Sequence, residues 1–340
     1  MYLNEIIKRS NNLSFLKFIA ACLVIYSHSF ALSLGRGNLD FLDTISKGSL
    51  SFGGFAVAIF FFSSGFFITK SIIKRGGSNY IKTRIARIFP PLIVTVALTV
   101  IICGLFFSSL SFFDFIFNKQ TLLYCLNMIL IPVHMLPGVF SNNVYGSYIN
   151  GALWTLPVEF ACYIAVYVLY KLSWLNEKKY KIISVFVFIS YFCLTFIKLP
   201  IFETLLRYSQ PAYVFFMGSY FYLLRNKIKI SSKILMISIL CFLLLITIGY
   251  GKIATVFCLP YILLYYSFYL KQCESLLAKL GDISYEIYLV GFPIQQMIVS
   301  LFGGNMRPYM NLMFALPISI ILAFIVHGIL DISFYKKIKL

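Results

Sequence analysis

Lys17 and His28 stand eleven residues apart inside one apolar run, F-L-K-F-I-A-A-C-L-V-I-Y-S-H. At about 100° per residue, eleven steps make three turns plus roughly 20°. A helix here therefore carries both side chains on one face, their backbones roughly 16 Å apart along the axis. The run is about long enough to cross a bilayer, where a cation and an imidazole are costly unless they line a polar cavity. An imidazole titrates near neutrality and can serve as a general base. This spacing points to chemistry or transport within a membrane. A core histidine hydrogen-bonded to a neighbouring helix is the plainer alternative.

Three further groups bear chemistry. Arg84 and Arg87 are three residues apart and precede Pro90 and Pro91. On a helix they are neighbours, and two guanidiniums can clamp phosphate oxygens with forked hydrogen bonds. A basic cluster at a cytoplasmic helix end is also what membrane topology demands. The segment Asn150-Gly-Ala-Leu-Trp154-Thr-Leu-Pro-Val-Glu159 opens another apolar run. Glu159 needs a partner or a wet cavity there, and could orient or charge-stabilise an imidazole. Trp154 reads either as an interfacial anchor or as a platform for a sugar ring. In Gly281-Asp282-Ile-Ser-Tyr285-Glu286-Ile-Tyr288, Asp282 is an expected N-cap with Glu286 one turn inside, which accounts for both.

The elements that must hold these groups follow from composition. Of 340 residues 60% are hydrophobic and only 12% charged, about half the charged fraction of soluble domains. An all-α, polytopic membrane protein is expected, a single domain over 1–340. The net charge of +18 does not indicate nucleic acid, because the basic residues lie in short loops between apolar runs. The eight Cys are scattered and form no C-x-x-C, and three His form no ligand pattern, so no metal site is expected. The first run is too long for a signal-peptide core and is read as a retained helix.

About ten spans are expected, near 13–34, 51–73, 88–108, 152–171, 181–198, 205–224, 233–249, 252–270, 283–302 and 309–334. The loops on one side then carry Lys70 to Arg87, Lys171 to Lys181, Arg225 to Lys233, Lys271 and Lys279, and Lys336 to Lys339. The opposite loops are nearly neutral, with Arg36 and Lys47 against Asp40 and Asp43, and with Lys252 and Arg307 alone in theirs. The alternation puts both termini in the cytoplasm. The apolar stretch 120–137 is broken by Asn127, Pro132, His134 and Pro137. Making it a full span would invert every later loop, so 109–151 is expected as a partly apolar outer loop that packs into the bundle or re-enters the membrane.

Taken in order, these segments resemble the acyltransferase-3 family, bacterial membrane O-acyltransferases of surface polysaccharides. Its first-helix Arg-x10-His signature reads Lys17-x10-His28 here. Its second-helix motif resembles residues 53–68, G-G-F-A-V-A-I-F-F-F-S-S-G-F-F-I. R-x-x-R-x-x-P-P appears as Arg84, Arg87, Pro90 and Pro91, N-G-x-L-W-S-L-x-x-E appears at 150–159 with Thr155 for Ser, and L-G-x-I-S-Y-x-I-Y-L appears at 280–289. The chain departs from the pattern at Lys17, which lacks the planar fork of Arg. It departs again at Ala58, often polar in relatives, and at Gly291, where many relatives place a histidine.

The resemblance implies transfer of an acyl group, commonly acetyl, from cytoplasmic acyl-CoA to a carbohydrate hydroxyl in a bacterial plasma membrane. It implies His28 as base or transient acyl carrier, Lys17 in place of the family's Arg, and Arg84 and Arg87 on the CoA phosphates. Glu159, Trp154 and Asn150 would shape the reaction cavity and contact substrate. Tyr26, Ser27 or a backbone N–H are candidate oxyanion donors. The expected partners are a surface or lipid-linked glycan and membrane lipid, with a separate extracytoplasmic enzyme as a further option. A non-catalytic flippase for lipid-linked sugars, lined by the same polar residues, is the competing reading.

Overall fold

Apolar runs of this length fold as helices because a helix satisfies every backbone N–H and C=O within its own segment. The computed structural model describes residues 1–7, 12–38, 40–197, 199–269 and 282–330, apart from the side chains of 202–204 and 207. Ten helical segments among these residues coincide with the ten expected runs. They are α1 (Leu13–Leu34), α2 (Phe52–Arg75), α3 (Tyr80–Phe106), α4 (Thr155–Lys171), α5 (Glu177–Phe196), α6 (Pro200–Leu223), α7 (Ser232–Thr247), α8 (the pair Gly251–Phe257 and Leu259–Phe268), α9 (Ser284–Leu301) and α10 (Pro308–Leu330). Five of them, α1, α2, α3, α5 and α10, are long and apolar enough to cross a membrane, and α8, bent by 47°, makes six if counted as one span. Among the described residues there are isolated β-bridges but no strands. Phe186, Leu240, Met313 and Ile321 are all exposed, as expected of helix faces that meet lipid rather than water. The basic residues expected at Lys8, Arg9, Lys271, Lys279 and the C-terminal end lie outside the described residues.

The chain forms two compact units. The first comprises Met1–Lys17, Leu42–Lys82 and Val158–Leu280, the second Phe18–Phe41, Thr83–Pro157 and Gly281–Leu340. In the first, α2 and α6 cross at glycines. A Cβ on Gly65 would lie 2.0 Å from the Phe215 carbonyl oxygen, and one on Gly218 would lie 2.2 Å from that of Phe62. Thr69 Oγ1 donates to Ser219 Oγ at 2.9 Å, and Ser219 Oγ donates to the Gly65 carbonyl at 3.2 Å. Small residues with a hydroxyl bridge are the usual means of close helix approach in lipid. The N-terminal residues are fastened to the loop after α6: Leu3 N donates to Ile228 O at 2.9 Å and Asn4 N to Arg225 O at 3.0 Å.

The second unit is organised around α9, whose Gln295 and Gln296 are fully buried. Gln295 Nε2 donates to the Ile25 carbonyl of α1 at 2.8 Å. Gln296 Nε2 donates to the carbonyls of Tyr148 at 2.7 Å and Gly146 at 3.1 Å, and Asn143 Nδ2 donates back to Gln296 Oε1 at 2.8 Å. The stretch 120–137 holds the end of a six-residue helix (Lys119–Tyr124) and a 3₁₀ turn (Cys125–Ile129). Neither approaches the roughly 20 residues a spanning helix needs. Asn127 closes the turn, with Nδ2 donating to the carbonyls of Tyr124 and Val133, each at 2.8 Å.

Candidate functional site

His28 lies toward the end of α1. Its ring is half-buried, and Nδ1 is itself buried with no hydrogen-bond partner among the described residues. The ring meets Phe292 of α9 edge to face, centroids 5.1 Å apart. Phe292 needs room, and Gly151 supplies it: a Cβ there would come within 2.7 Å of the phenyl ring. Asn150 beside it is buried, donating from Nδ2 to the Leu289 carbonyl at 2.9 Å and accepting at Oδ1 from Ala152 N at 3.0 Å. Tyr288 OH donates to the Ala152 carbonyl at 2.7 Å and lies 2.7 Å from Thr155 Oγ1. The 150–155 motif is thus clasped to 288–292 of α9, and the two together set the wall against which His28 rests. Asn150, expected to meet substrate, is engaged at both ends of its amide by the protein backbone. Gly291 packs on α1, where a Cβ would come within 2.9 Å of Ile25 Cγ1. A histidine there would collide with Ile25 as it stands.

Asp40 was legible only as a loop charge offsetting Arg36 and Lys47. It is 2% exposed. Its Oδ2 accepts at 2.5 Å from the Oγ of Ser27, the residue before His28. Ser27, an expected oxyanion donor, has its proton directed to Asp40 and is not available for that task.

Arg84 is half-buried and Arg87 exposed near the start of α3. Pro90 and Pro91 within this helix deprive the carbonyls of Ala86 and Arg87 of their intrahelical donors. Arg87 Nη2 pairs with Asp282 Oδ2 at 2.9 Å, and Ser284 Oγ donates to Asp282 Oδ1 at 2.5 Å. Tyr285 OH donates to the Ile88 carbonyl at 3.1 Å. Asp282 is therefore not the expected N-cap. Helix α9 starts at Ser284 with Ile283 in the capping position and no side-chain cap bond, because the carboxylate is drawn to Arg87 and Ser284. Glu286 is buried rather than a solvated first-turn charge, and its Oε1 lies 2.8 Å from His327 Nδ1 of α10.

Glu159 belongs to the first unit, on α4. Its Oε1 accepts from Ser64 Oγ of α2 at 2.8 Å and from Tyr163 OH one turn on. Tyr80 OH donates to the Tyr163 carbonyl at 3.1 Å. The partner that a membrane carboxylate requires is thus a pair of hydroxyls. Tyr163 stands at i+4 from Glu159, a spacing that alone would have nominated it. Lys17, half-buried on α1, also belongs to the first unit. Trp154, half-buried just ahead of α4, belongs to the second.

An imidazole with an unpartnered nitrogen is a group suited to proton abstraction from a hydroxyl, and the unit that holds it also holds the buried Asp40 and the two arginines of α3. The acyltransferase domain family matches residues 10–330. The chain is 30% identical over 319 residues to an O-acetyl transferase of Shigella phage Sf6, covering 89% of this chain and 90% of that protein. It is 32% identical over 162 residues to nodulation protein 10 of Rhizobium leguminosarum bv. viciae, covering 46% of this chain and 43% of that protein. No solved structure matches it significantly.

Proposed function

The chain belongs to the acyltransferase-3 family, and from that premise we propose that it carries an acyl group, acetyl by preference, from cytoplasmic acyl-CoA to a hydroxyl of a surface or lipid-linked polysaccharide. The observation that carries the reading is the unpartnered, buried Nδ1 of His28, next in sequence to Ser27, which holds the buried carboxylate of Asp40. The base removes the proton of the acceptor hydroxyl as its oxygen attacks the thioester carbonyl. Collapse of the tetrahedral intermediate expels the CoA thiolate, which takes the proton from the imidazolium. A relay through acyl-His28 would divide the same exchange into two steps.

Donor phosphates fall to Arg84 and Arg87, whose guanidiniums match phosphate oxygens. Asn150 acts by holding the 150–155 segment on α9. The family resemblance gives Lys17 and Glu159 charge-stabilising roles and Trp154 a contact with sugar. The setting is a bacterial plasma membrane crossed about ten times, with both termini inside, and the acetyl preference follows from the name of the phage relative.

Mass spectrometry of surface glycan tests the reading. In cells whose only copy is His28→Ala, the acyl mass should vanish while glycan export continues. Normal acylation in that strain overturns the assignment of His28. Failed export would favour a flippase instead.

A further inference from the structure

Arg36 lies just past the end of α1, beyond Gly35, whose φ of 98° turns the chain out of the helix. It is exposed, yet its side chain is fixed. The guanidinium carbon lies 4.2 Å from the Tyr148 ring centroid and 5.1 Å from that of Tyr145. Nε donates to the Tyr145 carbonyl at 3.3 Å. Among the described residues no carboxylate pairs with it, and neither Nη nitrogen donates a hydrogen bond.

The rings that hold it are held in turn. Gln296 fixes the Tyr148 carbonyl, and His134 stacks on the Tyr148 ring at 5.1 Å and 15°. Burial pushes the Tyr145 phenol above its ordinary range, and Arg36 draws it part of the way back. The cluster is continuous with the catalytic imidazole: Tyr145 lies 5.8 Å from Phe292, and Phe292 lies 5.1 Å from His28. A cation that only neutralised the carbonyl end of α1 would need neither a stacked plane nor open Nη groups. An immobilised guanidinium with its fork unfilled is instead a preorganised receptor for an oxyanion.

We propose that Arg36 recognises an oxyanion on the glycan acceptor, seating the hydroxyl to be acylated beside His28. This inference rests on the acyltransferase reading above. The oxyanion is either the carboxylate of an acidic sugar or the phosphate that joins a glycan to its lipid. Donor and acceptor then have separate arginines, Arg84 and Arg87 for one and Arg36 for the other.

The test uses the purified full-length protein in proteoliposomes with acetyl-CoA and three acceptors: a neutral oligosaccharide, a uronate-containing oligosaccharide, and the neutral oligosaccharide on a polyprenyl pyrophosphate. The wild type should show a lower KM for one of the two anionic acceptors, by about 10- to 100-fold as expected for a charge-assisted hydrogen bond. Arg36→Met should erase that difference with the KM for acetyl-CoA unchanged, and Arg36→Lys should keep part of it. The acceptor that responds identifies the source of the oxyanion. If Arg36→Met does not fold, Arg36→Lys, which retains the cation over the rings, carries the same comparison. Equal KM values for all three acceptors in the wild type, or a variant that shifts neutral and anionic acceptors alike, overturns the inference while leaving the acyltransferase reading intact. Absence of transfer to any acceptor by the wild type overturns the reading beneath it.

Discussion

Asp40 and Asp282 show how one residue type serves two ends of the same unit. Asp40 is buried and fixed by Ser27, the residue before His28. Asp40→Asn keeps its volume but removes the negative charge held by Ser27, which under the proposed function favours the imidazolium formed as the acceptor proton leaves. The expected result is a fall in kcat of about 10²-fold, the low end of what a positioned base contributes, with substrate KM values little changed. Asp40→Glu should restore part of the rate, whereas a purely structural role would lower thermal stability and raise KM. Asp282, by contrast, competes for Arg87 in an exposed pair of the kind that contributes about 0–1 kcal/mol. If Arg87 is to grip CoA phosphate, Asp282→Asn should lower the KM for acetyl-CoA and Arg87→Ala should raise it. A rise in both variants would mark the pair as structural. His28, Arg84, Arg87 and Glu159 could be nominated from the sequence because charge within an apolar run is conspicuous. Asp40 could not, since in a linear reading it only balances Arg36. Ser64 carries no such signal, since a serine in a membrane helix can satisfy itself on its own backbone.

At the scale of elements, the ten apolar runs map onto ten helices because hydrophobic length is a local property that needs no tertiary information. What could not be read locally was pairing. The start of α9 differs from the local expectation because Arg87, distant in sequence, outbids the helix terminus for Asp282. The glycines of 53–68 carried no visible reason until α6 was laid across them. Gly65→Ala places a methyl against the Phe215 backbone, where no side-chain rotation relieves it. It should destabilise the protein by about 1–3 kcal/mol through overpacking and disturb the neighbouring Ser64–Glu159 contact. Gly54→Ala in the same helix meets nothing closer than 3.5 Å and serves as the control. Thermal unfolding in detergent of the two variants should separate them, and equal midpoints would show that α2 and α6 can part without cost.

At the scale of the whole molecule, loop charge predicts orientation, and contacts within each unit bear on the parity of crossings between loops. Two loops that touch lie on one side of the membrane, so an even number of spans must separate them. Asn4 bonds to Arg225 across α1–α6, and Glu177 pairs with Lys227 across α5 and α6. Ser49 Oγ accepts from Gly251 N across α2–α7, Arg87 pairs with Asp282 across α3–α8, and Val144 N donates to Gly304 O across α4–α9. Among the described residues, each interval holds an even number of the ten helices. Gly77 packs on the rings of Tyr167 and Tyr170, and only α3, 109–151 and α4 intervene. If α3 and α4 each cross once, 120–137 does not cross at all, the same conclusion that loop charge reached by another route. We propose ten crossings with the N-terminus on the side of the basic loops, and side-specific labelling tests this. In a background without the eight native cysteines, a membrane-impermeant maleimide applied to intact cells, with the outer membrane opened where there is one, should label Asn142→Cys and Arg307→Cys. It should reach Lys178→Cys and Lys227→Cys only after the plasma membrane is permeabilised. Labelling of Lys227→Cys in sealed cells would reverse the orientation. Protection of Asn142→Cys alone would place 109–151 on the inner side, which an odd number of crossings before it forbids.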